Sequence, residues 1–240
     1  MGEHINNPVP VVAIVVAAGS GSRLGAAVPK ALVPVAGVPL VTRAIERLAE
    51  GGVGEVIVVV PAAEREAFVE VLASAPVPVI WVDGGAERQD SVANGLAALP
   101  DLDEADAEGQ VVLVHDAARA FVPAEVVARV IEAVRAGADA VVPAVPVSDT
   151  VRELTDTGSV VVDRARLRAV QTPQGFRRGL LEDAHAALYE TRMTVTDDAA
   201  AAEYIGCDVV LVEGSRDAFK VTDPFDLVVA EAIAARGEPA

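Results

Sequence analysis

The sequence predicts an α/β fold in which helices cover both faces of a mostly parallel sheet. Three observations lead there. Short Val/Ile runs recur along the chain, separated by Ala/Leu/Glu/Arg segments with helical spacing. The runs are apolar at nearly every position instead of alternating, the pattern of strands buried on both faces. Hydrophobic residues make up 52% of the 240 and aromatics only 3%, so the core must be built from Val, Ala and Leu.

The elements follow in order. Val11 to Val16 reads as a strand and runs into a glycine-rich turn, Ala17-Ala18-Gly19-Ser20-Gly21-Ser22-Arg23-Leu24-Gly25. A helix is expected from about Leu40 to Glu50, a second strand over Val56–Val60 and helical sequence over Ala62–Ala73. Val77–Val82 is the third strand, followed by a helix around Ser91–Leu99. Asp101–Glu108 is acidic and reads as a solvated loop. Val111–Val114 is the fourth strand, Pro123–Arg135 a helix and Ala140–Val145 the fifth strand. The pattern then breaks: Pro146–Val162 is polar and β-like, with a Thr-Gly-Ser turn, and reads as a hairpin leaving the core. Helical sequence resumes at Arg177–Tyr189 and Asp197–Tyr204, then a late strand at Val209–Val212 and a closing helix at Pro224–Ala235. Residues 1–10 read as a flexible N-terminus, and 11–236 as one domain with a β-arm inserted at about 146–167.

A net charge of −17 argues against a general nucleic-acid or anionic-membrane surface. Any phosphate site must then be a local basic cluster. One cysteine, Cys207, excludes an internal disulfide and a cysteine-based metal cluster; a buried thiol is expected there. The N-terminus lacks a basic start followed by an apolar run, and no apolar stretch reaches membrane-spanning length. A soluble, cytoplasmic protein is expected.

Of 19 basic residues only Lys30 and Lys220 are lysine. Lysine is a compact point charge and arginine a planar fork, so a lysine in an arginine-rich chain suits a single phosphate oxygen. Lys30 lies just beyond the glycine turn, whose backbone N–H groups suit phosphate. The turn is not a Walker loop, since no Gly-Lys-Ser/Thr follows. Nor is it the dinucleotide fingerprint: Leu24 occupies the third glycine position, and the second strand ends in Val60-Pro61 without an acidic ribose reader. It carries Arg23 instead. Further polar clusters are Asp83-Gly84-Gly85-Ala86-Glu87-Arg88-Gln89-Asp90-Ser91 and His115-Asp116-Ala117-Ala118-Arg119, each just after a strand, then Gln171-Thr172-Pro173-Gln174 and Thr196-Asp197-Asp198. Strand C-termini share one edge of a parallel sheet, so Arg23, Ser91, Asp116 and Arg119 are expected to converge. Singly, such an Asp is as often a helix cap as a ligand.

With these motifs, plus Pro29-Lys30, Asp149-Thr150, Asp163-Arg164 and Lys220-Val221-Thr222, the chain from Val11 to about Ala230 resembles the 2-C-methyl-D-erythritol 4-phosphate cytidylyltransferase family. The resemblance implies a Rossmann-like, mostly parallel sheet of the nucleotide-diphosphosugar transferase type with a protruding β-arm. It implies Arg23, Lys30, Arg164 and Lys220 as catalytic cations, the first two on the CTP phosphates and the last two on the phosphate of methylerythritol phosphate. Ala17, Ala18, Gly19, Gly21, Ser22, Gly85 and Ser91 are implied as the CTP site. Asp116, Arg119, Thr150, Thr172 and Thr196 are implied for methylerythritol phosphate. Mg²⁺ is the expected cofactor, with Asp116 a candidate ligand, and a homodimer through the arm is expected. Two departures stand out: Ala120 where the family usually has proline, and Ala86 where some relatives are polar.

No protein nucleophile is needed, because an acceptor phosphate is already anionic and can attack the α-phosphorus of CTP itself. The task is to bring two polyanions together. Rival readings are a ribitol 5-phosphate cytidylyltransferase, a uridylyl- or guanylyltransferase, and a non-catalytic nucleotide-binding module. Gly84-Gly85 to Ser91 disfavours the second, and the presence of Arg23, Lys30 and Asp116 the third. His115 is read as a loop-structuring residue, His185 as having no cluster around it and Trp81 as core.

Overall fold

The structure is a computed structural model that describes residues 9–19, 21, 24–25 and 28–237. The N-terminal expectation for residues 1–8 lies outside these, as do Ser22 and Arg23.

Strand β1 (Val12–Val16) is apolar on both sides and sits mid-sheet. A 3₁₀ turn at Lys30–Leu32 leads to a minimal hairpin, β2 (Pro34–Val35) and β3 (Val38–Pro39), and then α1 (Leu40–Glu50). Next come β4 (Glu55–Val60), α2 (Arg65–Val71), β5 (Val79–Asp83), α3 (Arg88–Leu96), α4 (Glu104–Gly109), β6 (Val111–Asp116) and α5 (Ala124–Arg135). After β7 (Ala140–Pro146) the hairpin β8 (Val151–Thr155) and β9 (Gly158–Val162) forms its own two-stranded sheet. The chain closes with β10 (Arg168–Val170), β11 (Gln174–Arg177), α6 (Arg178–Thr191), α7 (Asp198–Tyr204), β12 (Val209–Glu213) and α8 (Pro224–Ala235).

Strands β6, β1, β4 and β5 run parallel, with Val16 level with Asp116 and Val60 level with Asp83. Neighbouring strand ends thus deliver chemistry to the same edge. Beyond β6 the order departs from a purely parallel sheet, since β11 is inserted antiparallel between β6 and β7. β10 lies antiparallel along the rest of that β7 edge, and β12 is parallel on its other side. The apolar strand residues divide into two layers. Val11, Ala13 and Val15 pack with Val41, Ile45 and Leu48 of α1, Phe68 of α2 and Val127 and Ile131 of α5. Val12 and Ile14 pack with Val92 and Leu96 of α3, Leu181 of α6 and Ala202 of α7. A smaller cluster joins Val35, Phe121, Val221 and Ala230 of α8.

One local expectation is corrected. Part of the acidic stretch is helix α4, because Asp103 caps it, its carboxylate accepting from the Asp106 N–H at 2.9 Å, and the Ala/Glu run that follows favours helix. The polar segment Gln171–Gln174 runs from antiparallel β10 directly into antiparallel β11. Trp81 is half-buried and packs against the first core layer. Cys207 is also half-buried; desolvation, with Asp139 and Asp208 nearby, pushes its thiol up, which suits a packing role. Among the described residues no helix is long and apolar enough to cross a membrane.

Candidate active site

A cavity of about 410 Å³ opens at the C-terminal edge of the sheet. The chain goes from β1 to β4 and β5 on one side and returns to β6 on the other, so the crevice beside β1 is a topological switch point, where open α/β sheets take their ligands. Val16–Gly19 and Asp116–Ala118, the extensions of β1 and β6, form two walls. Gly85–Arg88 and Ser91 form a third, and Lys30 and Lys220 reach in from separate loops.

The third wall explains its glycines. A Cβ on Gly84 would stand 2.4 Å from the Ala18 Cβ, and one on Gly85 would stand 2.2 Å from the Asp90 Cβ. Close approach, not a left-handed backbone, demands glycine at both. Ser91 fastens this loop to α3, its hydroxyl accepting from the Gly85 N–H and donating to the Glu87 carbonyl, both at 3.1 Å. Gly21 needs both properties: its φ is 61°, and a Cβ there would meet the Lys30 Cβ at 2.4 Å.

Asp116 is the electrostatic centre. Its carboxylate lies 2.8 Å from Lys220 Nζ, 3.3 Å from Arg88 Nε and 3.9 Å from Arg119 Nε. Burial works against its charge, but Lys220, Arg88 and Arg119 outweigh that and hold its pKa well below the ordinary carboxylate range. Arg119 is aimed by the Ala218 carbonyl at 2.8 Å; burial pulls its pKa down. Behind Asp116, the Thr172 hydroxyl accepts from the Asp116 N–H at 3.0 Å and contacts His115 Nδ1 at 3.1 Å. Burial lowers the His115 pKa to about 4, so at neutral pH the ring is uncharged where it meets the Thr172 hydroxyl. The expected role of His115 is therefore sharpened: it holds the strand end from beneath. Gln171 and Gln174 hold neighbouring loops, the first through both Ser215 backbone groups and the second through the N–H groups of Asp198 and Ala199.

The cavity thus brings together Ala17, Ala18, Gly19, Lys30, Gly85, Ser91, Asp116 and Lys220. Arg119 and Thr172 stand against Asp116. Thr150, Arg164 and Thr196 are exposed and do not line it. Arg164 instead closes the base of the arm, donating to the Ser148 carbonyl. The sequence reading gave no role to Arg88, whose Nη1 lies 2.8 Å from Asp198 Oδ2. It also missed the His185 Nε2 contact to Asp198 Oδ1 at 3.1 Å, so His185 does belong to a cluster. The available hint was the second acid of Asp197-Asp198: Asp197 caps α7, leaving a carboxylate without local work at the head of an alanine-rich helix.

A sequence model of the 2-C-methyl-D-erythritol 4-phosphate cytidylyltransferase family matches residues 11–236. The chain belongs to this family. Among relatives, the cytidylyltransferase of Saccharopolyspora erythraea is 50% identical over 94% of this chain and 99% of its own length. That of Nocardia farcinica is 48% identical over 95% of each chain. Among solved structures, the cytidylyltransferase from Thermus thermophilus is 38% identical and superposes with a TM-score of 0.76 over 94% of this chain and 99% of its own. A 4-diphosphocytidyl-2C-methyl-D-erythritol synthase from Anaerococcus prevotii is 27% identical, with a TM-score of 0.81 over 94% and 96%. The family's nucleotidyltransferase architecture thus extends over essentially the whole described chain.

Proposed function

We propose that this protein transfers CMP from CTP to 2-C-methyl-D-erythritol 4-phosphate, releasing pyrophosphate. The observation that carries the reading is the group of cations around Asp116 and at Lys30, gathered on one cavity at the sheet's switch point in a chain of charge −17. A phosphate oxygen of the acceptor forms a bond to the α-phosphorus of CTP as the bond to the pyrophosphate oxygen breaks. Both reactants are anions, so the barrier is lowered by fixed positive charge and alignment. Lys30, with Arg23 from the same turn, serves the triphosphate. The backbone of Ala17–Gly19 and the Gly84-Gly85 loop holds the nucleoside, and the tight contacts of Gly84 with Ala18 and of Gly85 with Asp90 set how closely that loop approaches. Lys220 and Arg119, held by Asp116, serve the acceptor, with Thr172 fixing Asp116 and Thr196 standing on the adjacent loop. Thr150 and Arg164 belong to the arm; its exposed Leu154 and Val161 support a homodimer in which the arm completes the partner's site.

Mg²⁺ is part of the proposal. Among the described residues no group of three or more His, Cys, Asp or Glu is placed to hold a metal. That suits an ion that keeps several waters and takes its other ligands from substrate phosphates. Asp116, with Glu87 on the same cavity, is the carboxylate that would hold it. When bound, the ion neutralises phosphate charge. Chelation is expected to abolish turnover and added Mg²⁺ to restore it.

The test is pyrophosphate release from CTP with methylerythritol phosphate and ribitol 5-phosphate in parallel. Release with the first alone supports the proposal. Release with the second alone moves the acceptor while keeping the chemistry. Silence with both, from folded protein that binds CTP, returns the non-catalytic reading.

A further inference from the structure

We infer that Arg88 and Gln89 form a clamp joining the nucleotide loop to the loop that carries Thr196, with Asp198 and His185 as its buried anchor. Both clamp residues lie in the first turn of α3, the turn that carries Ser91 and abuts Gly85. Arg88 spans two carboxylates, Asp116 at 3.3 Å through Nε and Asp198 at 2.8 Å through Nη1. Gln89 grips the other loop at two points, donating to the Met193 carbonyl at 3.1 Å and accepting from the Val195 N–H at 3.2 Å. Asp198 is 2% exposed and His185 7%, and they meet at 3.1 Å.

Asp198 has no capping duty, since Asp197 already accepts from the Ala200 N–H at 3.0 Å. A buried ion pair adds little stability over well-packed apolar residues. What it supplies is direction, because one guanidinium hydrogen-bonds Asp116 through Nε while its Nη1 is ion-paired with Asp198. Burial costs Arg88 some of its charge preference, yet Asp198 and Asp116 more than restore it. Nucleotide seated on Gly85 and Ser91 therefore fixes, through α3, both Asp116 and the Met193–Asp198 loop. Arg88, Gln89 and Asp198 are positioning residues for the acceptor; this rests on the proposed function above.

The test compares full-length wild type with Gln89→Ala, Asp198→Asn and Arg88→Lys. Initial rates of pyrophosphate release are measured against CTP and against methylerythritol phosphate, beside CTP·Mg²⁺ affinity by calorimetry and thermal unfolding. Each variant is expected to bind CTP within about twofold of wild type and to show an acceptor KM raised about tenfold, the scale of one lost hydrogen bond or charge-assisted contact. Arg88→Lys keeps the charge without the fork and should not rescue. Full rescue by lysine overturns the clamp. So does a fall in unfolding temperature with both KM values unchanged, or CTP affinity and acceptor KM weakening together. Gln89 is half-buried and carries no charge, so its variant keeps the test open if Asp198→Asn does not fold. A wild type silent with either acceptor removes the functional reading, and the clamp with it; an active wild type with unsplit variants removes the clamp alone.

Discussion

Replacing Asp116 by Asn keeps the shape of the side chain and removes only its charge. The wild-type carboxylate is 11% exposed and faces Lys220 at 2.8 Å, Arg88 at 3.3 Å and Arg119 at 3.9 Å. Breaking a buried pair by removing one partner costs about 3–5 kcal/mol. Here Arg88 retains Asp198 at 2.8 Å and Arg119 retains the Ala218 carbonyl at 2.8 Å. Lys220, with 40% of its side chain exposed, can turn to water. The cost should therefore fall at the low end, about 3 kcal/mol. At about 2–4 °C per kcal/mol for a chain of this size, Tm drops by about 6–12 °C at pH 7. The pH dependence follows from the direction of the shift. Asp116 is held below its ordinary 3.8 in the folded state, so its contribution is fully present above that value and is lost as pH falls toward the folded pKa. Calorimetric melts of both proteins should show a constant gap from pH 8 to pH 5 that closes below about pH 4. Equal Tm at pH 7, or a gap that widens in acid, would refute the idea that this carboxylate neutralises the cluster.

Four further outcomes are expected. Lys30→Ala should lose about 10²–10³ in kcat with its circular dichroism unchanged, the loss typical of one transition-state charge donor; unchanged turnover would remove Lys30 from the chemistry. Lys220→Ala should raise the acceptor KM while leaving the CTP KM within about twofold, a split that steady-state kinetics reads directly. Gly85→Ala forces a Cβ to within 2.2 Å of the Asp90 Cβ, so the loop must shift off Ser91; calorimetry should find CTP bound at least about tenfold more weakly. Phe176 is fully buried between β6 and β7, and Phe176→Ala should cost about 3–5 kcal/mol in urea unfolding, in the range for deleting a core aromatic ring.

Where a feature depends on neighbours in the chain, the sequence was enough. The run Val-Ala-Ile-Val-Val, feeding a glycine-rich turn and repeated by later Val-rich runs between helical segments, reads as a strand buried on both faces. Because parallel strands end together, the sequence places Arg23, Ser91, Asp116 and Arg119 at one edge, and the described three of them, Ser91, Asp116 and Arg119, stand at or against the cavity there. β11 was not legible: Gln-Gly-Phe-Arg is short and shows no clear alternation. It is a strand because the open edges of β6 and β7 need hydrogen-bond partners, and those edges exist only in the folded sheet. α4 was hidden by acidic composition, which reads as solvation until Asp103 is seen accepting from Asp106.

The residues around the site divide the same way. Position after a strand or turn pointed to Arg23, Lys30, the glycines and Asp116, while the roles of Arg164 and Lys220 came from the family resemblance. Folding decided what those groups do to one another. Arg88, Asp116, Asp198 and Lys220 lie far apart in the chain and meet only because β6 ends, α3 and α7 begin and the loop before α8 passes at one place. Charge interactions act through space and depend on burial, so neither the depressed pKa of Asp116 nor the bridging of two carboxylates by Arg88 has any signature in the order of residues.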